Sequence, residues 1–172
     1  MFNRQNKKDR RKGNNKGFSL VELIVVIAIM AVLVAVLAPQ FTKYIDQSRK
    51  SNDAATVSGI VTAAQVGIAD TSFGVPEDTY TITIAADKTT VTGTGSNAEA
   101  NAAKLADAIK AACGDLDKLK VTSKSWKADN ANQIKVTLVY ANGAVTVDYS
   151  ADFKAYVNGT TEAEEENNNQ NS

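Results

Sequence analysis

One long apolar run dominates the chain. Residues 18–38 read FSLVELIVVIAIMAVLVAVLA, with one charge, Glu22, and one hydroxyl, Ser19. As a helix this run rises about 30 Å, the thickness of a bilayer's hydrocarbon core. Past Pro39 the pattern changes but does not stop. Ile45, Val57, Ile60, Val61, Ala64 and Ile68 contain the i, i+3/i+4 spacings of an amphipathic stripe, and Lys43, Asp46, Arg49, Lys50, Asn52 and Asp53 fill positions between. No further proline occurs before Asp70. The pattern predicts one helix over about residues 18–70, about 80 Å long, apolar all round in its first half and on one side in its second. Pro39 removes one backbone donor, so a bend is expected there.

The rest reads as a small α+β unit. Phe73-Gly-Val-Pro-Glu-Asp78 breaks the helix. Thr79–Ala85 and Thr89–Thr94 alternate and are rich in Thr, Ile, Val and Tyr, with Ala86-Asp87-Lys88 as the turn. Ser96-Asn-Ala-Glu99 has the spacing of a capping box. It opens a second helix over about 97–113, with Ala98, Ala102, Leu105, Ile109, Ala112 and Cys113 on its apolar side and Gly114 at its end. Trp126 is a candidate for a short strand. Gln133–Tyr140 and Ala144–Tyr149 flank Asn142-Gly143, the strongest short hairpin signal. Phe153–Val157 is a candidate last strand. The expected fold class is α+β: a long N-terminal helix packed on a small antiparallel sheet with a second helix.

Charge sharpens this picture. The 172 residues carry 19 basic and 19 acidic side chains. The balance hides a split. Residues 1–17 hold Arg4, Lys7, Lys8, Arg10, Arg11, Lys12 and Lys16 against Asp9 alone, net +6, and the remainder is net −6. A basic leader before an apolar helix keeps the N-terminus cytoplasmic and sends the rest outside. The chain has no histidine, which removes His-based acid–base catalysis, Ser-His and Cys-His nucleophile pairs and most zinc sites. No phosphate-binding glycine loop, metal-spaced ligand cluster or paired-carboxylate motif stands out, and no cofactor is expected. The lone Cys113 rules out an intrachain disulfide and reads as a small buried hydrophobe. Tyr80, Tyr140, Tyr149 and Trp126 read as sheet-core or sheet-face residues. The acidic body argues against non-specific nucleic-acid binding by bulk charge, and no specific nucleic acid is expected as a partner. Residues 161–172 form an acidic, Asn-rich tail expected to be disordered.

The junction Lys16-Gly-Phe-Ser-Leu-Val-Glu-Leu23, followed by the apolar run and Pro39, resembles the class III signal of type IV prepilins. The resemblance covers roughly residues 12–45. It implies cleavage after Gly17 by a prepilin peptidase, N-methylation of the new N-terminal Phe18, and a role for Glu22 in assembly, with Pro39 bending or locally melting the helix as subunits pack. It also implies partners: further copies of the chain, the peptidase and methylase, an inner-membrane platform protein and a cytoplasmic assembly ATPase. The implied plan is a leader at 1–17, a membrane and filament-core helix at 18–40, an amphipathic half at 41–70 and a globular head at 71–160.

Physical chemistry adds to that plan. A carboxylate in an apolar helix is costly at mid-bilayer, about 2.5–3.5 kcal/mol, but Glu22 is five residues into the cut chain and stays near the headgroups. Inside a filament it needs a partner, and cleavage creates one, the Phe18 ammonium. The pairing runs between subunits or, at four-residue separation, within one. Ala28, Ala31, Ala35 and Ala38 allow close approach of neighbouring helices.

Three other readings compete. A secretory signal peptide would be cut after Val36-Leu-Ala38, but Pro39 follows directly and Glu22 interrupts the core. A signal-anchored membrane enzyme lacks a recognisable site. A pseudopilin of a type II secretion or competence system shares the junction, yet the head, about 100 residues, is large for a competence pseudopilin. The favoured expectation is a major pilin of a Gram-positive bacterium, a membrane precursor whose mature form lies in a surface filament. The absent cysteine pair departs from many Gram-negative pilins.

Overall fold

A computed structural model describes residues 17–159. The leader lysines and arginines expected at 7–16, and the acidic tail, lie outside the described residues. Helix α1 runs Leu20–Ala69 and continues through Pro39, close to the predicted span. The chain separates into two units, one ending at Thr42 and one beginning at Lys43.

In the first unit every large apolar side chain from Leu20 to Leu37 is exposed. Inside that unit, the Thr42 hydroxyl donates to the Pro39 carbonyl at 3.0 Å.

The second unit has a core. Strands β1 (Asp78–Ala85), β2 (Thr89–Gly93), β3 (Gln133–Ala141) and β4 (Ala144–Tyr149) form one antiparallel sheet in the order β2-β1-β3-β4. Alternation puts Tyr80, Ile82 and Ile84 of β1 on one face, opposite Leu138, Val136 and Ile134 of β3. This face joins Val57, Ile60, Val61, Ala64 and Ile68 of α1 and Leu105 and Ile109 of helix α2 (Ala98–Cys113) in one buried cluster. Cys113 is half-buried against it. Gly67 lets the helices approach: a Cβ there would lie 2.3 Å from that of Ala108. The two-residue hairpin forms as the Asn-Gly pair predicts, with Asn142 at φ 52° and Gly143 at φ 71°.

Four local expectations are corrected. Ile45 is exposed. It lies twelve residues before Val57, about three and a third turns, so it is rotated about 120° off the stripe. The positions that continue the stripe toward the N-terminus are Asp46, Lys50 and Asp53, and Asp53 is 1% exposed. Second, Trp126 is on no strand. It sits in the irregular segment between short 3-10 turns at Leu116–Lys118 and Ala128–Asn130. That segment bonds to α1 instead of to a neighbouring strand. Asp53 accepts from the Thr122 amide at 2.7 Å, the Thr122 hydroxyl at 2.8 Å, the Ser123 amide at 2.9 Å and the Trp126 indole at 2.8 Å. Asp46 accepts from the Ser123 and Ser125 hydroxyls, both at 2.7 Å. The Lys50 ammonium lies 5.0 Å from the Trp126 ring centroid.

Third, Phe153–Val157 is helical, within α3 (Ala151–Asn158). Helical spacing brings both Phe153 and Tyr156 onto Trp126, at 5.4 and 5.5 Å between ring centroids, and Gly159 closes the helix in the left-handed region. Finally, the Ser96–Glu99 capping box does not form. Asn97 occupies the cap position of α2 without a side-chain bond. The loop before it is organised by Asp78, which accepts from the Thr94 hydroxyl, the Gly95 amide and the Asn101 side-chain amide.

Candidate processing and assembly site

The predicted junction lies where α1 begins. Gly17, Phe18 and Ser19 are outside the helix, and Phe18 is 90% exposed. Among the described residues, and apart from its chain neighbours, no atom lies within 4 Å of where a Gly17 Cβ would stand. The Gly17–Phe18 peptide bond is thus in open, irregular backbone immediately before a regular helix.

Local sequence explains why the helix starts here. Its first amide groups have no carbonyl partner within the helix. Ser19 and Glu22 supply acceptors by the Ser-x-x-Glu spacing of a capping box. The Ser19 hydroxyl oxygen accepts from the Val21 amide at 3.3 Å, and Glu22 Oε2 accepts from the Ser19 amide at 2.8 Å. The Leu23 amide donates to the Ser19 carbonyl at 3.2 Å. Such caps contribute about 1 kcal/mol, and a carboxylate in the first turn also complements the helix dipole. Glu22 therefore has an intrachain partner in the uncut protein, the amide of Ser19 and not the nitrogen of Phe18. Ser19 was not singled out for this role from the sequence, although the 19–22 spacing carried the signal.

The remaining predicted site residue stands apart. Pro39 is about 25 Å further along α1 from Glu22, at 1.5 Å per residue. Among the described residues no group of three or more His, Cys, Asp or Glu side chains is arranged to hold a metal. What the first unit offers is a surface: a helix apolar on every side past Glu22, long enough to cross a bilayer, its large apolar side chains exposed among the described residues. Such a surface requires lipid or other helices around it.

Comparison with known proteins points the same way. The model of the prokaryotic N-terminal methylation motif matches residues 12–38, the stretch that ends at the last residue of the apolar run. Prepilin peptidase-dependent protein A of Clostridium perfringens is 30% identical over 128 residues, covering 74% of this chain and 86% of its own length. A fimbrial protein of Pseudomonas aeruginosa is 35% identical over 68 residues, 37% of this chain and 44% of its own. The type IV narrow pilus major component of Thermus thermophilus is 42% identical over 48 residues, 28% of this chain and 41% of its own. No solved structure matches at comparable significance. The match to the clostridial protein extends well past the shared N-terminal motif into the sheet and helices of the head, so the resemblance is not confined to a signal: the chain belongs to the type IV prepilin family, a family of structural proteins and not of enzymes.

Proposed function

We propose that this chain is the shaft-forming subunit of a type IV pilus. The observation that carries the reading is the exposed apolar surface of α1, which opens on an exposed Gly17–Phe18 bond and a Glu22 carboxylate that accepts from the Ser19 amide. The precursor sits in the membrane through residues 18–40 with its basic leader on the cytoplasmic side. A prepilin peptidase cuts after Gly17, and Phe18 is N-methylated. The same helix then exchanges lipid for neighbouring helices as copies polymerise, driven by the assembly ATPase through the platform protein. Glu22 suits this sequence of events. Its Oε2 is engaged by the Ser19 amide, which orients the carboxylate, and its other oxygen makes no hydrogen bond among the described residues. That oxygen is available to a Phe18 ammonium once cleavage has made one, and a charge-assisted bond there offsets the burial of both groups in a filament.

Two measurements test this. Mass spectrometry of the surface protein should show a chain beginning at N-methylated Phe18; a chain retaining Met1, or starting after Ala38, refutes the processing scheme. Electron microscopy of sheared cells should show long filaments made mainly of this chain. Only short appendages, dependent on a secretion or uptake apparatus, would assign it to a pseudopilus instead. Replacing Glu22 by Ala should leave cleavage intact and abolish filaments.

A further inference from the structure

The sheet ends on two strands, β2 and β4, and bonds already made fix which backbone groups each turns outward. The Ala85 amide donates to the Lys88 carbonyl at 3.0 Å. Bonded pairs recur at every second residue of an antiparallel ladder. Thr90 and Thr92 therefore bond to β1, and the N–H and C=O groups of Val91 and Gly93 point away from it. The Ser150 amide donates to the Lys135 carbonyl at 2.8 Å. By the same alternation Thr146 and Asp148 bond to β3, while Val145, Val147 and Tyr149 turn their backbone groups to the open side. Among the described residues, no group outside the sheet bonds to the backbone of Val91, Gly93, Val145 or Val147.

Edge strands of soluble proteins usually carry a device against further pairing, such as proline, lysine or a bulge. Neither edge has one. β2 reads Thr-Thr-Val-Thr-Gly and β4 reads Ala-Val-Thr-Val-Asp-Tyr, strong strand formers with a single charge, Asp148. The two edges also differ in shape. Beside β2 lies a groove of about 420 Å³, lined by Val91 and Gly93 on the strand and by Ala98, Ala102 and Ala106 of α2. At β4 the side chains on that same face of the sheet are larger. Val145, Val147 and Tyr149 are only half-buried against the core. Strand direction alternates along β2-β1-β3-β4, so β4 of one head and β2 of another, placed side by side in one sheet, are antiparallel.

We infer that β4 of one copy pairs with β2 of the next, so that the sheet continues from head to head. Val145, Val147 and Tyr149 face Val91 and Gly93 in bonded pairs, each exchanging both backbone bonds. Their side chains enter the alanine-lined groove, while Thr146 and Asp148 meet Thr90 and Thr92 on the outer face. This is strand addition with a second copy as the occupant. The contact joins two different edges, so it does not close on itself as a twofold dimer does and repeats along a polymer. The inference rests on the pilus reading given above and adds a contact between heads to the packing of helices.

The test uses filaments sheared from cells expressing paired cysteine variants of the full chain: Thr92→Cys with Thr146→Cys, and Thr92→Cys with Asp148→Cys, each with Cys113→Ser. Facing residues of paired strands lie about 4.5–5.5 Å apart at Cα, within the span of a disulfide. The two variants cover the registers in which Val147 faces Val91 or Gly93. Under a mild oxidant one of them should give a denaturing-gel ladder of dimers, trimers and longer species, and the single variants should give none. No ladder from either variant in filaments that do form overturns the inference. So do dimers from Thr146→Cys alone, which would pair β4 with β4 about a twofold axis. Should the substitutions block assembly, filaments of the unaltered chain decide. Amide exchange at Val91, Gly93, Val145 and Val147 should be at least about tenfold slower there than in micelles, the effect of one hydrogen bond near the top of its usual range, and equal rates overturn the inference. A parent chain that forms no filaments overturns the pilus reading itself, which filaments without the ladder would leave standing.

Discussion

Replacing Asp53 by Ala should destabilise the head more than any other single polar substitution on α1. The carboxylate is 1% exposed and accepts four hydrogen bonds, three of them from groups that have few other options: two backbone amides and the Trp126 indole. Bonds to a charged group contribute about 1.5–3 kcal/mol each. Four taken additively would approach the whole stability of a domain, about 5–15 kcal/mol, so the sum is not the measure. The better comparison is the loss of one partner of a buried polar set, about 3–5 kcal/mol. We expect about 4 kcal/mol for Asp53→Ala and about 2 kcal/mol for Asp53→Asn, which keeps one acceptor. Asp46→Ala should cost less, about 2 kcal/mol, because Asp46 is partly exposed and the Ser125 hydroxyl can turn to water, while the buried Ser123 hydroxyl loses its acceptor. The assay is urea unfolding of the full chain in micelles followed by tryptophan emission. Trp126 is the chain's single tryptophan and touches Asp53 directly. With a slope of about 2 kcal/mol per molar, Asp53→Ala should lower the midpoint by about 2 M. A midpoint within about 0.3 M of the parent, or equal shifts for Asp46→Ala and Asp53→Ala, would falsify the argument that burial makes the difference.

Further predictions concern packing, pH and the helix start. Gly67→Ala should cost about 1–3 kcal/mol from overpacking against Ala108, despite alanine's helix preference of about 1 kcal/mol, and Ala108→Gly should recover part of the loss in the same urea assay. The Ser125 hydroxyl, then that of Ser123 and the charges of Lys50 and Arg49, hold the Asp46 carboxyl below its usual range against the opposing effect of burial. A depressed carboxylate contributes stability above its unfolded pKa, about 3.9, and loses it as pH falls through the folded value. Midpoints measured across that acid range should therefore fall less steeply for Asp46→Asn than for the parent. Ser19→Ala should remove a helix cap at a cost of about 1 kcal/mol, seen as several-fold faster amide exchange at Leu20–Leu23 in micelles.

Much of the architecture was legible because it rests on local pattern. An apolar run without interruption, a period of 3.6 in α1 and α2, a period of 2 in β1 to β4 and an Asn-Gly turn each act over a few residues. The misreadings share one origin. Phe153–Val157 has strand-like composition, but its aromatic residues are placed on Trp126 by helical spacing, and that ring is far away in sequence. The Ser96–Glu99 spacing lost to Asp78, a carboxylate from a neighbouring strand that took the loop's donors.

At the N-terminus the sequence by itself determined nearly everything proposed here. The leader charge, the Gly17–Phe18 junction, Glu22 and the apolar run are one contiguous signal, and even the Ser19–Glu22 cap is a three-residue relation. The head is different. Asp46, Lys50 and Asp53 looked like solvated residues between stripe positions, since a charged side chain in an amphipathic helix is normally on its wet side. Only the tertiary structure decided that they continue the buried stripe, because their partners at Thr122–Trp126 lie about seventy residues away. A buried carboxylate is tolerable only where enough donors converge on it, and convergence of distant segments is a property of the fold that no local pattern encodes.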